Sequence, residues 1–95
     1  MRPVLAIDLL CAGRALMAVP AEARADLVHH LLRCAHSADQ FRQCSGARHP
    51  NFGDGTLAET ARRAGLAPER TICDPEFAHA LGLVLGGLRQ CAKGD

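Results

Sequence analysis

The chain is poor in aromatic residues: it has no Trp, no Tyr and three Phe, or 3% of 95 residues. A core without large rings must be filled by Leu, Ala, Val and Met, with Phe41, Phe52 and Phe77 as its aromatic anchors. An excess of one charge is also missing. The net charge is +1, so no strong field draws the chain toward nucleic acid or an anionic membrane. Arg outnumbers Lys ten to one, a bias of base composition more than of chemistry. No uninterrupted apolar run reaches the ~20 residues that a membrane span needs. Val4 to Val19 imitates a signal peptide, but Asp8 and Arg14 interrupt it and Arg2 is its one basic flank, so cleavage is not expected. Asp8-Leu9-Leu10 ahead of Cys11 lacks the small residues of a lipoprotein cleavage site. Paired cysteines are lacking too. Cys11, Cys34, Cys44, Cys73 and Cys91 are odd in number and contain no CxxC, which argues against a secreted disulfide scaffold. Reduced, mostly buried thiols in a cytoplasmic protein are expected.

What is present is a chain with 48% hydrophobic residues, rich in Ala and Leu and poor in β-branched side chains. That composition favours helix throughout. The expectation is one domain over 1–95, all-α, a compact four-helix arrangement. Two longer N-terminal helices come first, then an irregular loop, a short helix and a C-terminal helix.

The first helix is predicted from Val4 to Met17 or Ala18, with Pro3 suited to its first turn. It is apolar on most faces, so it should lie centrally or be shared with a partner chain. Val19-Pro20 breaks it, and Pro20 or Ala21 should open the second helix, with Glu22 in the first turn. Leu27, Leu31, Cys34, Ala38 and Phe41 form the core stripe of that helix. His29, Arg33, His36 and Gln40 lie on its polar face. It should fray near Arg42 to Cys44. Thr56-Leu57-Ala58-Glu59 reads as a capping box for a short third helix ending near Ala64, with Gly65 in the left-handed position and Pro68 forbidding continuation. Asp74-Pro75 caps the fourth helix, whose core face is Phe77, Leu81, Val84, Leu85, Leu88 and Cys91. Gly82 and Gly86 lie four apart on another face, and each glycine costs a helix about 1 kcal/mol relative to Ala. Their presence predicts close packing against the first helix or a second subunit.

The most locally specific segment is His49-Pro50-Asn51-Phe52-Gly53-Asp54-Gly55-Thr56, a loop between two helical halves. Loops on rigid scaffolds are where binding residues concentrate. The candidate binding residues are His36, Asp39, Arg42, His49, Asn51 and Asp54. Each also has a plain structural use: Asp39 and Arg42 as a solvated pair near a helix end, Asn51 and Asp54 as turn formers. Ala35-His36-Ser37-Ala38-Asp39-Gln40-Phe41-Arg42, with His49-Pro50 and Gly53-Asp54-Gly55-Thr56-Leu57, resembles a small uncharacterised bacterial all-helical family with no established function. The resemblance covers the central third of the chain. It implies a helical domain with a distinctive loop and no particular activity.

Chemical motifs are sparse. His30 and Cys34 are spaced for one helix face, but a zinc site ordinarily shows further paired ligands, so no metal or other cofactor is expected. Leu57 to Leu66 resembles the first helix and turn of a helix-turn-helix reader. However, Asp74-Pro75 would interrupt the recognition helix, and nucleic acid is not an expected partner. No nucleophile and base stand together, and Gly53-Asp54-Gly55 has the spacing of neither a calcium loop nor a phosphate loop, so an enzyme is not the expected reading. Protein interaction remains, through a homodimer and an unidentified protein partner. A small zinc-binding protein is the rival reading and a helix-turn-helix-like DNA-binding protein the third.

Overall fold

The computed structural model describes residues 1–92. Four α-helices appear in chain order: α1 (Ala6–Met17), α2 (Arg24–Ser45), α3 (Leu57–Ala64) and α4 (Pro75–Ala92). A 3-10 turn at Ala21–Ala23 precedes α2. No strand occurs among the described residues, apart from one isolated bridge between His49 and Gly53. The class is all-α with four helices, as the composition predicts. Helix α1 is central and packs against the other three. Leu16, Leu31, Leu57, Phe77 and Val84 are its largest fully buried neighbours and members, so each helix contributes to one core.

Helix α1 begins at Ala6, two residues later than predicted, because Asp8 sets its start. Leu5 is extended, and its N–H donates to Asp8 Oδ2 at 2.8 Å, a cap that leaves Pro3 outside the helix. Likewise α2 starts at Arg24, not at Pro20 or Ala21. Pro20 is extended and accepts from Ala23 N–H at 2.9 Å, closing the 3-10 turn first. Helix α2 persists to Ser45 before Gly46 ends it in the left-handed conformation, its N–H bonded to Arg42 O at 2.8 Å. Phe41 is not a core residue but 39% exposed, turned toward the loop. Thr56 Oγ1 accepts Glu59 N–H at 3.2 Å as predicted, but Glu59 turns outward to Arg48 and Arg63 and does not complete a capping box. Gly65 ends α3 at φ 105°, ψ 133°, outside the left-handed helical region. Asp74 caps α4 with Oδ1, which accepts the N–H groups of Glu76 and Phe77 at 3.0 and 3.1 Å.

The expectation that Gly82 and Gly86 pack against the first helix is corrected. A Cβ on Gly82 or Gly86 would meet nothing within 4 Å, so this face of α4 is open. The close helix approach occurs at Gly13 of α1, where a Cβ would stand 2.6 Å from Leu81 Cδ2 and 3.0 Å from the Phe77 ring. Gly87 plays the same part against Val28 and Leu32 of α2. Leu85 is exposed, contrary to its predicted place in the core, because α4 turns that side away from α1 and α2. The cysteines divide two to three. Cys11 and Cys34 are buried, whereas Cys44, Cys73 and Cys91 lie at helix ends or in a turn, beyond the reach of the core.

Candidate functional site

The loop is a compact hairpin. His49 N–H donates to Gly53 O at 2.8 Å and Gly53 N–H to His49 O at 3.0 Å, closing the five residues His49 to Gly53. Inside it, His49 Nδ1 accepts the N–H groups of Asn51 and Phe52 at 3.0 and 3.1 Å, which leaves the ring proton on Nε2. The same ring stacks on Phe52 at 4.5 Å and meets the edge of Phe41 at 4.9 Å. Phe41 is thus exposed with a purpose: it seats the hairpin on the end of α2. Arg63 of α3 reaches the Pro50 and Asn51 carbonyls at 3.4 and 3.3 Å. Asp54 Oδ1 accepts the N–H and hydroxyl of Thr56 at 3.0 and 2.7 Å, tying the loop to the cap of α3.

Beneath the loop, Asp39 is 6% exposed and not a solvated partner, which corrects the surface reading. Its Oδ1 accepts from Arg42 Nη2 at 2.7 Å, and its Oδ2 accepts from Gln43 at 3.0 Å and lies 3.3 Å from the Met1 amino group. That amino group is also 3.3 Å from His36 Nδ1. Asp39 is buried because Gly55 passes directly over the α2 backbone at that point. The six sequence candidates therefore fall into two groups. His36 and Asp39 meet the Met1 amino group, with Arg42 bonded to Asp39, while His49, Asn51 and Asp54 shape the hairpin and α3.

The carboxylates that do this work have lowered pKa values. The Arg42 hydrogen bond holds Asp39 below its ordinary range, against the opposing effect of burial. At Asp54 burial pushes upward, and the Thr56 hydrogen bonds together with Arg2 and Arg48 bring the net shift down. The Phe77 N–H lowers Asp74, and the Arg24 hydrogen bond lowers Glu76. A lowered folded-state pKa means that the folded protein binds fewer protons than the unfolded chain. The resulting stability is present above the unfolded pKa of about 4 and is lost as pH falls through the folded values. The denaturant midpoint is expected to hold from pH 7 to about 5 and to drop below about pH 4. Asp39→Asn should flatten that acid limb, and an unchanged limb in the variant would remove Asp39 from this account.

A second region lies beside the first and is less legible in the sequence. An open groove of about 870 Å³ runs between the N-terminal segment, α2 and the end of α4. Leu32, Leu88 and Val4 contribute apolar surface, and Arg2, His29, Arg33 and His36 line it with cationic or cation-capable heads. Of the six loop-centred candidates only His36 reaches this groove. In the sequence, His29, Arg33 and His36 read as an ordinary solvated helix face, because the segments that enclose them lie more than twenty residues away in either direction. Cys91, a predicted core residue, also lines it.

The metal and DNA geometries are simpler. His30 Nε2 lies 3.6 Å from Cys34 Sγ, and among the described residues no three His, Cys, Asp or Glu side chains gather in a metal-binding group. Burial pushes the Cys34 thiol up, with Arg33 opposing, a direction that favours the thiol over the thiolate. Residues 65–74 separate α3 from α4, a longer connection than the three- or four-residue turn of a helix-turn-helix. Among the described residues no helix is long and apolar enough to cross a membrane.

The chain matches the family described as Domain of unknown function (DUF7742) over residues 2–88 and belongs to it. The match extends well beyond the central third that carries the sequence resemblance. No curated protein and no solved structure matches the chain.

Proposed function

We propose that this member of the family is a small bacterial, cytoplasmic accessory protein that acts by protein contact and pairs with a second copy of itself through the outer side of α1. The observation that supports this reading is a cleft of about 280 Å³ between α1 and the segment before α4, lined by Ile7, Leu10 and Ile72. Ile7 is 51% and Ile72 64% exposed, large apolar side chains left in water beside a hydrophobic depression. Arg70 and Glu69 at the same cleft supply both signs of charge, and a patch carrying both can face its own copy across a two-fold axis without like-charge conflict. The exposed apolar residues are few, so the pairing is expected to be weak and concentration-dependent. His36 and Arg42 on α2 and His49, Asn51 and Asp54 in the loop remain the proposed contact for a different protein partner, with the buried Asp39 supporting them from beneath.

Sedimentation velocity across a concentration series tests the pairing. The wild type should shift from monomer to dimer as concentration rises. Ile7→Glu with Ile72→Glu should stay monomeric with unchanged thermal unfolding. Burying each isoleucine contributes about 1.5–3 kcal/mol, so the double variant should weaken association by at least about 100-fold. A wild type that remains monomeric at millimolar concentration overturns the proposal.

A further inference from the structure

The groove between the N-terminal segment, α2 and α4 is separate from the α1 cleft, and its lining has a definite chemical character. Its volume of about 870 Å³ lies in the range of small-molecule sites, about 300–1,000 Å³. Leu32, Leu88, Val4 and Pro3 give it a broad apolar surface. The charged side chains that line it are Arg2 and Arg33, with His29 and His36 alongside; Met1 lines it too, its amino group paired with Asp39, and among the described residues no carboxylate lines it. This is not the pattern of a generally basic protein, because the net charge is +1. Elsewhere five arginines are matched by carboxylates: Arg24 with Glu76, Arg42 with Asp39, Arg48 and Arg63 with Glu59, and Arg70 with Asp74 and Glu76. Arg14 donates to the Ala67 carbonyl, and among the described residues Arg62 and Arg89 form no ion pair but lie outside the groove. Among the described residues neither Arg2 nor Arg33 forms such an ion pair, although Arg2 acts at longer range on Asp54. Two guanidinium groups beside an apolar trough suit a ligand with an anionic head and an apolar body. A guanidinium presents parallel N–H donors that fit the two oxygens of a carboxylate.

We propose that this groove binds a small amphipathic carboxylate, with Arg33 and Arg2 holding the carboxylate and Leu32, Leu88 and Val4 receiving the apolar chain. The two ends of such a ligand contribute differently. The apolar chain supplies affinity through burial, and the arginines decide that the head is anionic. Neither part alone should bind well. Cys91 lines the same groove and is exposed, whereas Cys44 and Cys73 are exposed elsewhere. The protein therefore carries one thiol reporter in the site and two controls outside it.

The test uses decanoate, below its own aggregation threshold, as the probe. Alkylation of each cysteine by a maleimide is followed by peptide mass spectrometry with and without the probe, and amide chemical shifts are recorded in parallel. Decanoate is expected to slow labelling of Cys91 at least threefold while leaving Cys44 and Cys73 unchanged, with shift changes concentrated at Val4, Arg33, His36 and Leu88. Decanol and inorganic phosphate at equal concentration should do neither. Arg33→Gln should weaken decanoate binding at least fivefold, and Arg33→Lys should restore part of it. Equal protection of all three cysteines would mean detergent-like association and would overturn the proposal. So would decanol binding as well as decanoate, or phosphate alone reproducing the effect, or the absence of any protection of Cys91. Because Ile7 and Ile72 lie outside the groove, the monomeric double variant should bind decanoate as the wild type does, which separates the two proposals.

Discussion

Asp8→Ala is expected to destabilise the protein by about 4 kcal/mol, the largest effect of any single substitution considered. Asp8 is 3% exposed, and its two carboxyl oxygens cap two different helices. Oδ2 accepts the Leu5 N–H that opens α1, at 2.8 Å. Oδ1 accepts the Ala58 N–H in the first turn of α3, also at 2.8 Å and fifty residues away. The first N–H groups of a helix have no partner within it, and the macrodipole places positive charge at the same end. One side chain thus satisfies two donors and joins two helix starts. Each hydrogen bond to a charged group contributes about 1.5–3 kcal/mol, and alanine leaves the buried Ala58 donor without an acceptor and uncaps the part-buried Leu5 donor. A domain of this size has roughly 5–14 kcal/mol of total stability, so the loss is a large share of it. Asp8→Asn should be only partly tolerated, because an amide offers one acceptor and one donor to two donors. Denaturant unfolding followed by far-UV circular dichroism measures the change, since the chain has no Trp or Tyr for fluorescence. A loss below about 1 kcal/mol in Asp8→Ala would show that the shared cap holds nothing. Hydrogen exchange should quicken at both Leu5 and Ala58, a paired effect that loss of a local cap alone would not give.

Gly55→Ala is expected to cost about 3 kcal/mol, and its comparison with Gly46→Ala separates two causes. Both glycines have positive φ, +93° at Gly55 and +74° at Gly46. At Gly46 a Cβ would meet nothing within 4 Å, so only the conformational penalty of about 1 kcal/mol applies. At Gly55 a Cβ would lie 2.9 Å from both Cα and Cβ of Asp39, and the α2 backbone cannot step aside as a flexible side chain could. The loop itself would have to lift. Gly55 O also accepts the Arg2 N–H at 3.0 Å, so lifting the loop should loosen the N-terminal segment and the Met1–Asp39 contact with it. Amide exchange at Arg2 should therefore rise in Gly55→Ala and stay unchanged in Gly46→Ala. Equal stability losses in the two variants would mean that contact with Asp39 is unimportant.

The hairpin, the buried Asp39 and the groove share one dependence, the seating of residues 1–5 against α2. Arg2 is bonded to the loop through its backbone and lines the groove with its side chain. A change in the loop would thus be felt at the groove. Gly55→Ala is expected to weaken decanoate binding without altering a single groove side chain.

The local features were legible from the residues alone. Asp74-Pro75 and Thr56 mark helix starts through bonds that span two or three residues, and such signals do not depend on the rest of the fold. The amphipathic character of α2 predicts which side of it is buried, save at Phe41, whose partner is the loop and not the core. Helix count and class follow from composition and breaks in periodicity. What only the tertiary structure decided is which polar side chains are structural. Asp8 looks like an interruption in an apolar helix until the start of α3 is brought against it, and Arg24 looks like a surface residue until its Nη2 meets Glu76 fifty-two residues on. The tight glycine could not be told from the open ones, because Gly13, Gly82 and Gly86 differ only in what faces them. The groove likewise draws on residues 1–4, α2 and the end of α4, whose proximity is a result of packing. Short-range hydrogen bonding and periodicity are written into neighbouring residues, whereas burial of a charge or a glycine depends on a partner that folding brings from elsewhere in the chain.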